Sequence, residues 1–208
     1  MKVYTPSKIS RRLGERFFFK AERDASPKSA MVRRPYPPGM HGKRRRRALS
    51  EFGMELAEKQ KVRHLYGLTD NTLKNYVRLA RGMSAKTKTA ALVELLELRL
   101  DNAVFRLGLA PSRRIARHMI SYGHIEVNGK PVRSPSRRLA PGDQVAVRPS
   151  RRARALFEGL AIRLKKHQPP AWLDLLPEEP GGTVRSRPAE GDIQSSYNLS
   201  KVIEYYSR

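Results

Sequence analysis

The segment 112–147 constrains the fold most, because it predicts a short two-faced helix followed directly by a tight β-hairpin. The face that packs is predicted by apolar residues at helical spacing: Ile115, Ala116, Met119 and Ile120. The opposite arc carries only cations and a histidine: Arg113, Arg114, Arg117 and His118. Ser112 is the predicted N-cap, and Gly123 is the predicted stop in the left-handed region. We therefore expect one buried face and one basic, exposed face.

A β-hairpin is predicted immediately after this helix. Residues 125–127 alternate apolar and polar side chains, and Asn128-Gly129 is a dipeptide that type I′ turns favour. Pro131 should lie on an edge strand, because proline donates no ladder hydrogen bond. A second turn at 141–143 precedes a strand at 145–147. The chain is therefore expected to be an α+β protein, with helices packed on a short, mostly antiparallel sheet.

The net charge of +24 predicts a polyanionic partner. The 208 residues include 43 Lys and Arg against 19 Asp and Glu. Such a charge opposes compaction unless counter-charge arrives, and released counterions supply affinity for phosphates. No apolar run of about 18 residues and no signal-like stretch is present, so we expect no membrane partner and a cytoplasmic location. The absence of cysteine excludes disulfides, thiolate nucleophiles and Cys-rich zinc sites.

Three regions are predicted along the chain. Residues 1–48 are dense in Arg, Lys, Pro and Gly and predict an extended basic N-terminal arm that ends in five consecutive cations. Residues 49–97 predict a small helical domain, onto which the apolar C-terminal segment 193–208 is expected to dock. Residues 98–192 predict an RNA-binding module with a following helix and loop.

Three further expectations concern individual elements. Apolar spacing predicts a single helix over 89–107. On it, Arg99 and Asp101 are candidates either for an ion pair that fixes the junction or for a functional site. A strongly amphipathic helix is predicted over 150–164. The segment 177–191 is rich in Pro, Gly and Glu and is predicted to be a loop poor in strands.

Five short motifs fall within the predicted module, at 98–102, 105–108, 112–114, 123–125 and 127–129. Together they resemble the bacterial S4 family of small-subunit ribosomal proteins. This module is also similar to one found in pseudouridine synthases, tyrosyl-tRNA synthetases and a heat-shock ribosome-binding protein. The resemblance extends over practically the whole chain, because matches flank the module at 33–39, 58–61, 66–67 and 206–208.

The resemblance implies a structural ribosomal protein with a module of the alpha-L type and no catalytic residues. Members of the family bind the 5′ domain of small-subunit (16S) ribosomal RNA early and nucleate subunit assembly. They lie beside ribosomal protein S5 and other small-subunit proteins, contribute to translational accuracy, and help line the path by which messenger RNA enters. The implied location is the small ribosomal subunit in the cytoplasm.

One departure from the family concerns zinc. Many members carry a zinc site of four cysteines near the N-terminus, and the matching positions here are Ser7, Ser10, Asp24 and Ser29. Three hydroxyls and one carboxylate are a poor zinc set. We therefore expect no metal and no other cofactor, with serine hydrogen bonds and RNA contacts holding the arm.

The candidate RNA-binding residues are mainly cations of the arm, the helical domain and the module. The expected mechanism is positional, because arginines that hold phosphates fix the shape of a folded RNA. In the first two regions the candidates are Arg11, Arg12, Arg33, Arg34, Tyr36, His41, Lys43, Arg44, Arg45, Arg46, Arg47, Lys59 and Lys61. In the module they are Ser112, Arg113, Arg114, Arg117, His118, Asn128, Lys130, Arg137 and Arg138.

The alternative function is an RNA-modifying enzyme of the pseudouridine synthase kind, or a ribosome-associated factor that carries the same module. An enzyme needs a catalytic domain, and the chain contains no nucleotide-binding Gly-rich loop, no zinc-deaminase motif and no G-x-S-x-G. The five histidines also show no ligand spacing. A free-standing chaperone or a repressor of translation would use the same basic surface.

Overall fold

The protein forms two compact units in a computed structural model. The described residues are 6–17, 19, 24, 26–44, 47–84, 87–151, 157, 159–176, 179–192 and 197–207. The first unit comprises residues 1–84 and 195–208, and the second comprises 85–194. The division therefore falls near residue 85, whereas the sequence suggested a division at residue 98. No helix in the described part of the chain is long and apolar enough to cross a membrane.

The first unit is helical. Its helices are α1 (Pro6–Leu13), α2 (Ala30–Arg33), α3 (Glu51–Leu65), α4 (Asp70–Gly82) and, at the C-terminal end, α9 (Leu199–Tyr205). Side chains cap α3, α4 and α9 at their N-termini, because Ser50, Thr69 and Asn198 each accept a backbone N–H from the first turn of the helix that follows.

The N-terminal arm is not wholly extended, so that expectation is wrong over α1 and α2. Pro6 occupies the first position of α1, where proline's fixed φ suits a helix, and Gly14 follows its end at φ 70°. The apolar residues of α1 are only Ile9 and Leu13, which is too little periodicity to predict a helix from sequence. Ser29 caps α2 by accepting the N–H of Met31 at 3.4 Å.

The C-terminal helix α9 packs on α3. The hydroxyls of Tyr66 and Tyr197 lie 2.9 Å apart, and the backbone N–H of Asn198 donates to Glu58 Oε2 at 2.8 Å. Val202 on α9 is fully buried. Helix α9 is therefore part of the core of the first unit.

The second unit is an α+β fold, as predicted. Its helices are α5 (Lys88–Glu97), α6 (Leu100–Arg106), α7 (Arg113–Ser121) and α8 (Leu160–Lys166), with short 3₁₀ turns at Pro149–Arg151 and Glu190–Asp192. Its strands are β1 (Ile125–Val127), β2 (Lys130–Pro131), β3 (Gln144–Val147), β4 (Leu173–Leu175) and β5 (Gly181–Val184). The five strands are all antiparallel in the order β2-β1-β3-β5-β4.

The predicted hairpin is confirmed. Asn128 and Gly129 have φ of 52° and 73°, and Val127 pairs with Lys130 across the turn. β2 pairs only with β1, so Pro131 lies on an edge strand as expected. Gly142 has a φ of 91° in the turn that precedes β3.

The prediction of a strand-poor loop over 177–191 is wrong at β5. This strand lies between β3 and β4 although it begins with Gly181 and Gly182, which have low strand propensity. A Cβ on Gly182 would collide with the Leu107 side chain and with the carbonyl oxygen of Asp174. Close packing therefore requires glycine here, and that requirement is set by residues distant in sequence.

The single helix predicted over 89–107 is broken into α5 and α6. Arg99 is extended, with φ −68° and ψ 137°, and pairs with Arg138 in an isolated β-bridge. The N–H of Leu139 donates to the carbonyl of Leu98 at 2.8 Å, and the N–H of Leu100 donates to the carbonyl of Arg137 at 2.9 Å. These bonds to a distant segment replace helical ones at the junction.

The helix predicted over 150–164 is also corrected. Residues 152–156 and 158 lie outside the described residues, and the described helix α8 begins only at Leu160. Gly159, directly before it, has a φ of 68°, which a continuous helix cannot contain. Helical spacing was preserved across this glycine, so periodicity alone could not reveal the break.

Candidate nucleic-acid interface

The helix α7 has the two faces that its sequence predicts. Ala116, Met119 and Ile120 are buried in the core of the second unit, whereas Arg114 and His118 are exposed. Ser112 accepts the N–H of Ile115 at 3.3 Å, which confirms it as the N-cap, and Gly123 ends the helix region at φ 68°. Because Ser112 is buried, its hydroxyl caps the helix and does not belong to the exposed surface.

The side chain of Arg117 is held by a carboxylate from α6. Asp101 Oδ2 lies 2.8 Å from Arg117 Nη2 and 2.7 Å from Arg99 Nη2. Arg99 and Asp101 are almost fully buried, while the Arg117 side chain is 37% exposed. The predicted ion pair between Arg99 and Asp101 is thus confirmed, and the same carboxylate fixes an arginine of the basic arc.

A second buried network holds Arg113. Its Nε donates to Asn102 Oδ1 at 2.7 Å, and its guanidinium lies 4.4 Å from the centroid of the Phe105 ring. Asn102 Nδ2 in turn donates to Glu97 Oε2 at 2.7 Å. Glu97 is fully buried and accepts two hydrogen bonds from Arg106, at 3.0 and 2.9 Å. Residues of α5 and α6 therefore orient the first turn of α7.

The other candidates of the second unit differ in how far their side chains are engaged within the fold. Lys130 and Arg137 are exposed. Arg138 donates to Glu94 Oε1 at 2.6 Å. The Asn128 amide donates to Asp143 Oδ1 and accepts the N–H of Gln144, both at 2.8 Å. The hydrogen bonds of Asn128 therefore close the hairpin, which gives this residue a role within the fold.

A compact basic cluster occupies the N-terminal part of the first unit. Arg11 Nε donates to the carbonyls of Arg34 and Tyr36 at 3.0 and 2.9 Å. The Tyr36 ring has the Arg11 guanidinium 4.9 Å and the Lys43 ammonium 5.5 Å from its centroid. These hydrogen bonds of Arg11 therefore fix the start of the proline-rich loop 34–44, which is called the strap below. The exposed candidates here are Arg12, Arg33, Arg34, His41, Lys43, Arg44 and Arg47. Arg45 and Arg46 lie outside the described residues.

Lys59 is removed from the candidates, because it is buried among protein partners. Its Nζ lies 2.7 Å from Asp70 Oδ1 and 4.6 Å from the centroid of the Tyr205 ring. Burial raises the pKa of Asp70, but the hydrogen bond and charge of Lys59 outweigh it and bring that pKa below its usual value. Lys61 is partly buried and pairs with Glu58 at 2.8 Å. At Lys59, helical spacing gave no sign that Tyr205 of α9 would lie over the side chain.

His64 is a buried histidine of the first unit. Its ring lies 5.9 and 6.3 Å from the rings of Phe17 and Phe19, and its Nε2 is 3.1 Å from Arg63 Nη2. Burial, together with the nearby charge of Arg63, lowers the pKa of His64 to about 4. The imidazole is therefore neutral near pH 7 and belongs to the packing of the unit.

One surface residue was missed by the sequence analysis. Tyr122 is 70% exposed at the end of α7, and its ring is nearly parallel to that of His118, at 16° with centroids 6.3 Å apart. The side chain of Arg133 lies against Gly123, the residue that follows Tyr122. The signal was available, because Arg114, His118 and Tyr122 are spaced four residues apart.

The positions that match the family's zinc ligands hold ordinary polar packing. Ser10 and Ser29 are buried, and the Ser29 hydroxyl is engaged with Met31. Over the described ranges, no three His, Asp or Glu side chains converge in a way that could hold a metal ion. The arrangement offers fixed cations rather than groups for acid–base or metal chemistry.

Comparison with known proteins gives consistent matches over almost the whole chain. The ribosomal protein S4/S9 N-terminal domain matches residues 3–97, and the S4 domain matches residues 98–145. The small ribosomal subunit protein uS4 of Thermus thermophilus is 42% identical over 201 residues, covering 97% of this chain and 96% of that protein. The uS4 protein of Syntrophomonas wolfei is 41% identical over 198 residues, covering 95% and 94%. That of Pelotomaculum thermopropionicum is 38% identical over the full length of both chains.

Proposed function

Because this chain belongs to the uS4 family of small ribosomal subunit proteins, we propose that it is a structural component of the small subunit and binds small-subunit ribosomal RNA. The observation that carries the proposal is the basic face of α7, whose arginines are oriented from within the fold by Asp101 and Asn102. The family membership also implies a location in the cytoplasmic ribosome.

Phosphate binding is the chemistry that this surface supports best. A guanidinium held by a buried carboxylate loses less side-chain entropy when it meets a phosphate than a freely rotating one. The net charge of +24 adds affinity through counterion release. The exposed candidates that remain in the second unit are Arg114, His118, Lys130, Arg137 and Arg138, together with the partly exposed Arg113 and Arg117.

The first unit supplies a second basic surface. The strap pinned by Arg11 carries exposed cations on a folded loop rather than on a free tail. A preordered loop binds a groove at a lower entropic cost than a disordered tail. We propose that this surface also contacts ribosomal RNA.

The finer roles implied by the family resemblance belong to the same proposal. They are binding of the 5′ domain, nucleation of assembly, a position beside ribosomal protein S5 and other small-subunit proteins, contact with messenger RNA where it enters, and a contribution to accuracy. The net charge and the basic face of α7 support the RNA contacts among these.

An enzymatic function is not favoured. The uS4 protein of Pelotomaculum thermopropionicum matches this chain over its full length. The named relatives are ribosomal subunit proteins. In the described part of the second unit, the buried carboxylates Glu97 and Asp101 are both engaged by arginines.

Sedimentation of cell extract tests the proposal. An epitope-tagged chain expressed at its native level should sediment with small subunits at about one copy per subunit and remain there after a moderate salt wash. Recovery mainly in the free protein fraction, or at far below one copy per subunit, would favour a transient factor or an enzyme instead.

A further inference from the structure

We propose that Tyr122, stacked beside His118, is a platform on which one unpaired base of the bound RNA stacks. This inference rests on the proposed function, since it assigns a base-binding subsite to the surface that we propose binds ribosomal RNA. It adds recognition of a base plane to the binding of phosphates by the neighbouring cations.

The Tyr122 ring is largely exposed. Tyr122 is 70% exposed, and in the described part of its own unit the surrounding aromatic rings are those of His118 and His124. His124 in turn meets the buried Phe157 edge to face, with centroids 6.1 Å apart. The tyrosine is therefore supported by the fold on one side and open on the other.

The neighbouring ring of His118 lies nearly parallel to that of Tyr122. His118 lies one helical turn before Tyr122, and their rings are 16° from parallel. Two nearly parallel rings present flat surfaces of the kind on which nucleobases stack, and such stacking accepts any base.

Exposed cations flank the platform formed by Tyr122 and His118. Arg114 lies one turn before His118 on the same helix, and Arg133 lies against Gly123 directly after Tyr122. Both arginines are exposed, and no acidic residue occurs between Ser112 and Tyr122. An aromatic surface flanked by cations is the arrangement found where single-stranded nucleic acid binds. An apolar protein partner would not require this charge.

A comparison of variants tests the subsite. Tyr122→Ala should weaken binding to a transcript of the small-subunit ribosomal RNA 5′ domain by about 5-fold to 100-fold. Tyr122→Phe should bind within about 2-fold of the wild type, because the ring is retained. The matched control is Ile162→Ala, which removes another apolar side chain that is 67% exposed in the same unit and should leave affinity unchanged. The fluorescence of Trp172 reports whether each variant is folded.

The salt dependence separates stacking from charge. Tyr122→Ala removes no charge, so the slope of log affinity against log salt should stay equal to that of the wild type. Irradiation of a complex made with 4-thiouridine-substituted transcript should cross-link the peptide that contains Tyr122 to an unpaired nucleotide.

Two results would overturn the inference. One is equal affinity of Tyr122→Ala and Ile162→Ala for the transcript, with both variants folded. The other is a loss of affinity in Tyr122→Phe as large as that in Tyr122→Ala, which would assign the effect to the hydroxyl. If the wild-type chain itself fails to bind the transcript, the proposed function fails, and this outcome is distinct from either of the two.

Discussion

The carboxylate of Asp101 and the guanidinium of Arg117 join α6 to α7, with Oδ2 and Nη2 2.8 Å apart. The same oxygen accepts a hydrogen bond from the buried Arg99 at 2.7 Å. Arg99 precedes α6 at the point where its backbone bridges to Arg138. One buried carboxylate therefore connects the helix junction to the proposed RNA-binding face.

Substitution of Asp101 tests this connection. Asp101→Asn keeps the shape of the side chain but leaves Arg99 buried without its carboxylate, so we expect a loss of about 3 kcal/mol in the unfolding free energy of the second unit. Urea unfolding followed by the fluorescence of Trp172, the only tryptophan, measures it. The matched control, Asp174→Asn, changes an exposed carboxylate of the same unit and should shift stability by less than about 0.5 kcal/mol. Equal stability of the two variants would show that the buried pair does not support the fold.

Substitution of Lys59 distinguishes a role within the fold from contact with RNA. Lys59→Met keeps an unbranched apolar chain but removes the ammonium group that pairs with Asp70 and lies over the Tyr205 ring of α9. Because α9 loses this contact, it should open more often. Faster amide hydrogen exchange over 199–207 is the expected result. The salt slope of RNA binding should not change, because Lys59 is buried. Lys74→Met, an exposed change on α4, is the control for exchange. A lower salt slope in Lys59→Met would return this residue to the RNA-binding set.

The stability of the first unit should fall between about pH 6.5 and pH 4. His64 has a folded-state pKa of about 4 against an ordinary value of 6.5, so the unfolded chain binds a proton there that the folded chain does not. The contribution is complete above pH 6.5 and decreases as the pH falls, by at most about 3 kcal/mol. The depressed pKa of Asp70 adds a further loss at lower pH.

His64→Phe checks this assignment, since it removes the titrating group and retains a ring beside Phe17. Amide exchange of α3 measured at pH-corrected rates should then depend less on pH over this window than in the wild type. An unchanged pH dependence would show that another group is responsible.

The elements that could be predicted from the sequence are those specified by adjacent residues. The hairpin follows from Asn128-Gly129, and α7 follows from its cap at Ser112 and its stop at Gly123. In each case the residue type that favours the conformation lies within the element or at its end.

The features that could not be predicted depend on distant residues. The break before α6 is stabilised by backbone bonds to Arg137 and Leu139, and β5 requires glycine because of Leu107 and Asp174. The same limit applies to the interface. Arg113 and Arg114 are adjacent in sequence, yet Arg113 is held by Asn102 while Arg114 is exposed. Helical spacing identified the basic face of α7. It could not distinguish an arginine that is held by a buried partner, such as Arg113, from an exposed one, such as Arg114.

The salt dependence of RNA binding tests the central claim most directly. Arg114 is the appropriate residue, because changing Arg113 or Arg117 would also disturb the buried networks. The affinity of wild type, Arg114→Ala and the control Lys166→Ala for the 5′ domain transcript would be measured over a range of salt concentrations. Lys166 is an exposed cation of the same unit outside the proposed set. We predict that Arg114→Ala binds more weakly and that its slope of log affinity against log salt is smaller by about 0.7 to 0.9, as expected for one lost phosphate contact, while Lys166→Ala matches the wild type. A slope in Arg114→Ala equal to that of the wild type would contradict the account.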